Sequence, residues 1–315
     1  MSNHSVLLID PDADYFSERL HAAFPGVELH AVRSTAEALL HASGAEALIG
    51  WPRFFTDEMV AAARGLRWIQ VFTTGIDHVL GLKALRKETL LTSMRGIHGP
   101  QMAEMALMLM FALARDLPRI VRNQDQERWE RFRQRRLYGK TVVILGIGTS
   151  GMELAVRCQA LGMSVIGVSS TPRDVAGFDR VVVRADMLSA VGEGDFVVVL
   201  VPYDKTTANI VDARLLAAMK SSACLVNIAR GAVCDEQALI EALRNKTIAG
   251  AGLDVFQVEP LPQDSPLWRM PNVIVTPHEA GQCDVYNDLV LKVVEKNLRL
   301  FLEGRVSDMV NVVSH

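Results

Sequence analysis

Residues 141–161 read TVVILGIGTSGMELAVRCQAL. Positions 141–145 form a nearly continuous apolar, β-branched run, the pattern of a strand buried on both faces. Gly146-Ile147-Gly148-Thr149-Ser150-Gly151 is a GxGxxG turn, and 152–161 has helical periodicity. The first glycine permits a tight turn, the second lets backbone approach a pyrophosphate, and the third lets helix pack on strand. The new helix then presents unpaired N–H groups to the phosphates. GxGxxG alone is common. Its place between a strand and a helix favours a dinucleotide cradle built from Gly146, Gly148, Thr149, Ser150 and Gly151 over a merely structural turn.

The next strand covers 164–168. An acidic residue at its end would hold the adenine ribose hydroxyls of NAD. Ser169 stands there instead, followed by Ser170 and, a little later, Arg173. Serines can hydrogen-bond a 2′-phosphate and an arginine can pair with it, so NADP(H) is favoured. NAD(H) stays possible, because hydroxyls also accept a plain ribose, Asp174 is close by, and Arg173 has the alternative of being a solvated loop charge.

The alternation extends both ways. Strands are expected over 6–9, 27–32, 47–49 and 68–72, with helices over 16–24, 35–41 and 56–64. After the glycine turn come strands over 181–183, 196–201, 223–227, 252–255 and 273–275. Strands and helices at this spacing imply parallel sheets covered by helices. Gly99-Pro100 opens a helix over 101–114, in which Met102, Met105, Met108 and Met110 read as adaptable core or interface filler. The mixed-charge run 115–136 reads as a solvated connecting helix, the other reading being that Arg128 or Trp129 reaches a substrate. A last amphipathic helix is expected over 284–302.

The chain of 315 residues is long enough for two domains, and half of it is hydrophobic. A net charge of −3, from 33 basic and 36 acidic residues, excludes coating of nucleic acid or an anionic membrane through overall charge. Cys158, Cys224, Cys234 and Cys283 have no CxxC spacing, which implies reduced thiols, no metal site and a cytoplasmic setting. The N-terminus lacks the pattern of a secretory signal, and no apolar run is long enough to span a bilayer.

Polar residues cluster after three later strands. Asn227-Ile228-Ala229-Arg230-Gly231 follows one, Asp254 and Glu259 the next, and Thr276-Pro277-His278 the third. In open α/β sheets ligands bind beyond the carboxyl ends of strands. A guanidinium, an imidazole and a carboxylate there suit reduction of an α-keto acid, in which one group holds the acid, one gives a proton to the carbonyl oxygen, and one orients the imidazole.

These segments, with Thr74-Gly75-Ile76-Asp77-His78, make the chain resemble the D-isomer-specific 2-hydroxyacid dehydrogenases, particularly the glyoxylate/hydroxypyruvate reductase branch. The resemblance covers nearly the whole chain, from about Gly65 to the end and more loosely before that. It implies that Arg230, Glu259 and His278 are catalytic, with Arg230 and His278 also binding substrate. It further implies that the amides of Thr74 and Gly75 meet the substrate carboxylate and that Asp254 contacts the nicotinamide carboxamide. Pro202 and Ala229 are placed with the cofactor. Trp51, Leu80, Arg128, Trp129 and Tyr286 are candidates for the substrate side-chain pocket, with core or interface roles equally open. Glu279, directly after His278, departs from the usual uncharged residue.

The expected architecture is α/β, with two Rossmann/flavodoxin-like doubly wound domains and an active-site cleft between them. The substrate domain comprises 1–98 and 283–315, the dinucleotide domain 99–282. The expected activity is NAD(P)-dependent reduction of a small 2-keto acid to the D-2-hydroxy acid, by a homodimer joined through the cofactor domains. The rival readings are a dinucleotide-sensing, corepressor-like protein and a formate- or phosphite-type dehydrogenase.

Overall fold

The computed structural model describes residues 4–171 and 173–314. Residues 1–3, 172 and 315, which include the outer ends of the expected substrate domain, lie outside the described residues. The elements begin with β1 (Ser5–Ile9), α1 (Ala13–Ala23), β2 (Glu28–Val32), α2 (Thr35–Leu39), β3 (Ala47–Gly50), α3 (Asp57–Ala62), β4 (Trp68–Val71), α4 (Asp77–Leu80) and β5 (Leu90–Thr92). Then follow α5 (Gly99–Arg115), α6 (Leu117–Asp125), β6 (Thr141–Leu145), α7 (Thr149–Ala160), β7 (Ser164–Ser169), β8 (Arg180–Val183), α8 (Met187–Glu193) and β9 (Phe196–Val199). The chain ends with α9 (Ala213–Ala218), β10 (Cys224–Asn227), α10 (Glu236–Arg244), β11 (Gly250–Leu253), β12 (Val273–Val275), α11 (Tyr286–Leu302) and β13 (Val312–Val313). Contacts divide it into two compact units, Met1–Ile97 with Asp284–His315, and His98–Cys283.

The first unit holds a six-stranded sheet in the order β13-β5-β4-β3-β1-β2. All neighbours are parallel except β13, which runs antiparallel to β5. Its five parallel strands follow the flavodoxin-like order. Leu7, Ile9, Leu48, Phe55, Met59 and Ile69 are buried completely in one core cluster. A buried polar clasp explains why the C-terminal segment returns here. Trp68 Nε1 donates to Thr92 Oγ1 at 2.8 Å, Thr92 Oγ1 donates to Gln70 Oε1 at 2.8 Å, and Asn297 Nδ2 of α11 donates to the same oxygen at 2.9 Å. The Val310 N–H then donates to Asn297 Oδ1 at 2.9 Å. Buried polar groups need such partners, so α11 is bound to the sheet by more than its apolar face.

The second unit holds seven parallel strands in the order β12-β11-β10-β9-β6-β7-β8. Read outward from β6, this is the doubly wound Rossmann order with a seventh strand. One side of the sheet packs Val143, Leu145, Val197, Val199, Leu225 and Leu253, while Val142, Ile144, Val198 and Val226 face the cluster of Ala103, Ala106, Leu109 and Leu154 from α5 and α7. The alternation explains why these strands are apolar throughout.

Several sequence expectations change. The run 115–136 is not one helix: Asp116 takes a left-handed conformation with φ 52°, α6 ends at Asp125, and 128–136 has no regular structure. The run has no apolar face after 125 to bury. It is tied down by Arg119–Glu130 at 2.5 Å, Asn123 Nδ2 to Glu130 at 3.1 Å and Arg115 to Gln134 at 2.6 Å. In α5 the expected methionine filler holds for Met110, which is buried, and for Met102 and Met105, which pack against the same core, whereas Met108 is 45% exposed. The sequence reading does not include β5 or β13, because three and two residues carry too little periodicity.

Candidate active site

Strand register sets the geometry of the second unit. Leu145 aligns with Val168 and with Val199, Val199 with Asn227, Asn227 with Leu253, and Leu253 with Val275. One row therefore crosses six adjacent strands at their carboxyl ends. Ser169, Gly146, Pro202, Arg230, Asp254 and His278 all lie one to three residues beyond it. The convergence of residues distant in sequence is a direct consequence of parallel pairing in this register.

The glycine turn has the shape its sequence implies. Gly146 has φ 102°, and a Cβ there would lie 2.8 Å from the Leu200 carbonyl, while a Cβ on Gly151 would lie 2.3 Å from Gly146 O. A Cβ on Gly148 would meet nothing within 4 Å, so this position borders open space that a side chain would occupy. Thr149 and Ser150 open α7, whose first N–H groups have no partner within the helix. These features fit a dinucleotide pyrophosphate. Arg173 Nη2 donates to Ile147 O at 3.1 Å, which brings the guanidinium against the same turn. Ser169 is buried, and Ser170 and Arg173 are exposed. Across the turn, the Pro202 carbonyl accepts a 2.7 Å hydrogen bond from Thr207 Oγ1.

His278 and Glu259 form a pair, with Nδ1 and Oε2 2.7 Å apart and side chains 44% and 34% exposed. The Phe256 N–H donates to Glu259 Oε1 at 2.9 Å, so both carboxylate oxygens are used. Burial pushes the Glu259 carboxyl up. The hydrogen bonds from His278 and Phe256, with the charges of His278 and Arg230, outweigh this and hold it below the ordinary value. It is accordingly ionised at neutral pH.

Arg230 follows a turn folded by Asn227, whose Oδ1 accepts from the Ala229 N–H at 3.1 Å and whose Nδ2 donates to Arg230 O at 3.2 Å. Arg230 Nη1 donates to Ala229 O at 2.6 Å. Beside it, a Cβ on Gly231 would lie 1.9 Å from the Phe256 carbonyl, so only glycine permits this approach of the Arg230 turn to the Glu259 loop.

Asp254 is completely buried. Its carboxylate accepts from Thr276 Oγ1 at 2.6 Å, the Glu279 N–H at 3.0 Å and the Ala280 N–H at 3.0 Å. Its own carbonyl accepts from the His278 N–H at 2.8 Å. These bonds hold His278 at φ 54°, a conformation uncommon outside glycine. Gln101 Nε2 adds a 3.3 Å bond to Gly281 O. The roles of Asn227, Asp254 and Gln101 in shaping these loops are absent from the sequence reading; the available signal was a polar residue at an otherwise apolar, buried position. The Glu279 side chain is exposed.

Thr74 and Gly75 belong to the first unit, after β4. Thr74 Oγ1 donates to Met94 O at 3.2 Å and Thr73 Oγ1 to Gly75 O at 2.5 Å. In that unit Trp51 stacks on Tyr286 with ring centroids 5.5 Å apart, and its Nε1 donates to Asp10 at 2.7 Å. Leu80 is 44% and Trp129, of the second unit, 95% exposed. The Arg128 side chain is also exposed.

Comparison with known proteins places the fold and the family. Residues 107–280 match the model of the D-isomer specific 2-hydroxyacid dehydrogenase NAD binding domain. A D-3-phosphoglycerate dehydrogenase of Methanocaldococcus jannaschii is 32% identical over 82% of this chain and 49% of its own length, so the chain spans about half of that relative. A glyoxylate reductase of Korarchaeum cryptofilum is 31% identical over 79% of this chain and 77% of its own. A D-isomer specific 2-hydroxyacid dehydrogenase family protein of Aeromonas salmonicida superposes with a TM-score of 0.91, at 32% identity and 99% coverage of both chains. An NADPH-dependent glyoxylate/hydroxypyruvate reductase of Sinorhizobium meliloti, solved with NADP and sulfate, gives 0.84 at 28% identity, covering 99% of this chain and 98% of that one. With its two largely parallel sheets, glycine turn and row of polar strand ends, the chain belongs to the D-isomer specific 2-hydroxyacid dehydrogenase family.

Proposed function

We propose that this protein reduces a small 2-keto acid, of the glyoxylate or hydroxypyruvate kind, to the D-2-hydroxy acid. The observation that carries the reading is the 2.7 Å His278–Glu259 pair within reach of the Arg230 charge, on the domain that holds the glycine turn. NAD(P)H bound at that turn supplies the hydride. Arg230 holds the substrate carboxylate through paired N–H bonds. Glu259, ionised, accepts from His278 Nδ1, which leaves Nε2 to deliver a proton to the carbonyl oxygen. The Thr74 and Gly75 amides are assigned to the substrate carboxylate, and Pro202 and Ala229 to the cofactor; Asp254, with no exposed surface and its carboxylate bonded to residues 276–280, is assigned to holding the His278 loop rather than to the nicotinamide carboxamide. Residues 99–282 are the dinucleotide domain in this reading, and the remainder the substrate domain.

The test is oxidation of NADH and of NADPH with glyoxylate, hydroxypyruvate and phenylpyruvate. Turnover with formation of the D-hydroxy acid is expected. Cofactor binding without turnover across the panel would make the protein a dinucleotide sensor. Oxidation of formate or phosphite with NAD would place it with those dehydrogenases.

NADPH is the proposed donor, supported by the absence of an acid at Ser169 and by Arg173 against the turn. Charge-assisted hydrogen bonds contribute about 1.5–3 kcal/mol. Arg173→Ala should therefore lower the kcat/KM ratio of NADPH over NADH by about 10–100-fold, read from initial rates at fixed keto acid. An unchanged ratio would return Arg173 to a solvated loop charge.

A homodimer through the second unit is proposed from a run of exposed apolar side chains on α5, α6 and α7: Met108, Phe111, Leu117, Val121, Met152 and Val156, each 40–57% exposed. Light scattering on the purified protein checks it, and a monomeric mass would sink it. No helix among the described residues is long and apolar enough to cross a membrane. The unpaired cysteines, three of them buried, support a reducing compartment such as the cytoplasm.

A further inference from the structure

The first unit contains a concavity at the end of its sheet opposite Thr74 and Gly75. It lies where β4 and β5 begin, and its volume is about 750 Å³, within the range of small-molecule sites. Four basic residues line it, Arg64, Arg67, Arg86 and Lys87, against one acid, Glu88. This concentration of positive charge stands on a protein whose total is −3.

Among the described residues, Arg64, Arg86 and Lys87 have no carboxylate partner. Only Arg67 has one, Glu46 at 3.3 Å, and its guanidinium also lies 4.9 Å from the Phe301 ring centre. Arg86 is anchored by backbone carbonyls, through Nη1 to Arg64 O at 3.0 Å and Nη2 to Leu66 O at 2.5 Å. A guanidinium held in this way keeps its charge and loses little entropy when it meets an anion. Arg64 and Lys87 are exposed beside it. Thr89 lines the same concavity, and its hydroxyl is buried with no hydrogen-bond partner among the described residues. Native folds rarely leave such a group unpaired without a reason. Val306 and Val313 add an apolar part to the wall, beside Ser314.

We propose that this concavity binds a small phosphate ester with an apolar body, at a site separate from the proposed reaction. Arg64, Arg86 and Lys87 take the dianionic head, while Val306 and Val313 cover the body. Bidentate recognition by arginine suits a phosphate, and with Arg67 paired to Glu46 the remaining three cations less Glu88 leave a net +2 to offset two negative charges.

The test is calorimetric titration of the full chain with phenyl phosphate, in saturating NADP so that the glycine turn is filled. One molecule per chain should bind, and inorganic phosphate should bind at least about tenfold more weakly, because it lacks the body that the apolar wall covers. Arg64→Ala with Lys87→Ala should weaken phenyl phosphate at least about tenfold. Both residues are exposed, so unfolding midpoint and keto-acid turnover should stay unchanged. Val306→Asn should weaken phenyl phosphate and leave inorganic phosphate as it was. No binding up to about 10 mM, where fragments of this size are normally detected, would overturn the proposal. Binding unaffected by the double substitution would do the same. The readout does not depend on turnover, so failure here and failure of the proposed reduction are separate results.

Discussion

His278→Gln should lower kcat by about 10²–10⁴-fold, the usual worth of a positioned general acid, while the Kd for NADPH stays within about threefold. Stopped-flow turnover and fluorescence titration of the cofactor measure the two quantities. The split follows from the local structure. The His278 ring touches Glu259, whereas the cradle at Gly146–Gly151 is built from a different strand end. Glutamine keeps a polar side chain of comparable size but has no titratable proton near neutral pH. The His278 backbone is held by Asp254 through bonds that the substitution leaves in place. An equal loss of NADPH affinity would mean that the loop had collapsed. Unchanged kcat would remove His278 from the chemistry.

Arg230→Ala should lower kcat/KM for the keto acid by about 10²–10⁴-fold, since two charge-assisted bonds to a carboxylate are worth about 1.5–3 kcal/mol each. KM should rise steeply and kcat fall as well, because in the proposed reaction the carboxylate anchor also orients the carbonyl for hydride transfer. Arg230→Lys should recover part of the affinity but little of the orientation, as an ammonium lacks the planar fork. Substrate-dependence curves for both variants separate these effects. A change confined to thermal stability, with KM intact, would leave Arg230 a structural ion-pair former. Removing the guanidinium also removes one of the charges that hold the Glu259 carboxyl low. Carboxylate titration of Arg230→Ala should therefore show Glu259 protonating at higher pH.

The glycine turn, the alternation of strands and helices, and the three polar strand ends are legible in the linear chain because each is a local pattern. A strand buried on both faces must be apolar along its length, as 141–145 is, and a tight turn against a helix must be glycine at 146 and 151. The run 128–136 was less legible, since charge alternation describes a solvated surface equally well with or without a helix. Asp254 was harder still. Its sequence neighbours are consistent with any strand-end acid, and its three donors come from residues 276–280, more than twenty positions away.

Local chemistry in the chain was therefore enough for the two α/β sheets, the cradle and the identity of Arg230, Glu259 and His278 as candidates. Their juxtaposition was not local. It depends on β10, β11 and β12 pairing in parallel with Asn227, Leu253 and Val275 in one row. A shift of that register by a single residue would turn every side chain to the opposite face. It depends equally on the close contact at Gly231 and on a buried carboxylate that organises the His278 loop. Backbone hydrogen bonds between distant segments set these distances, and no short stretch of residues encodes them.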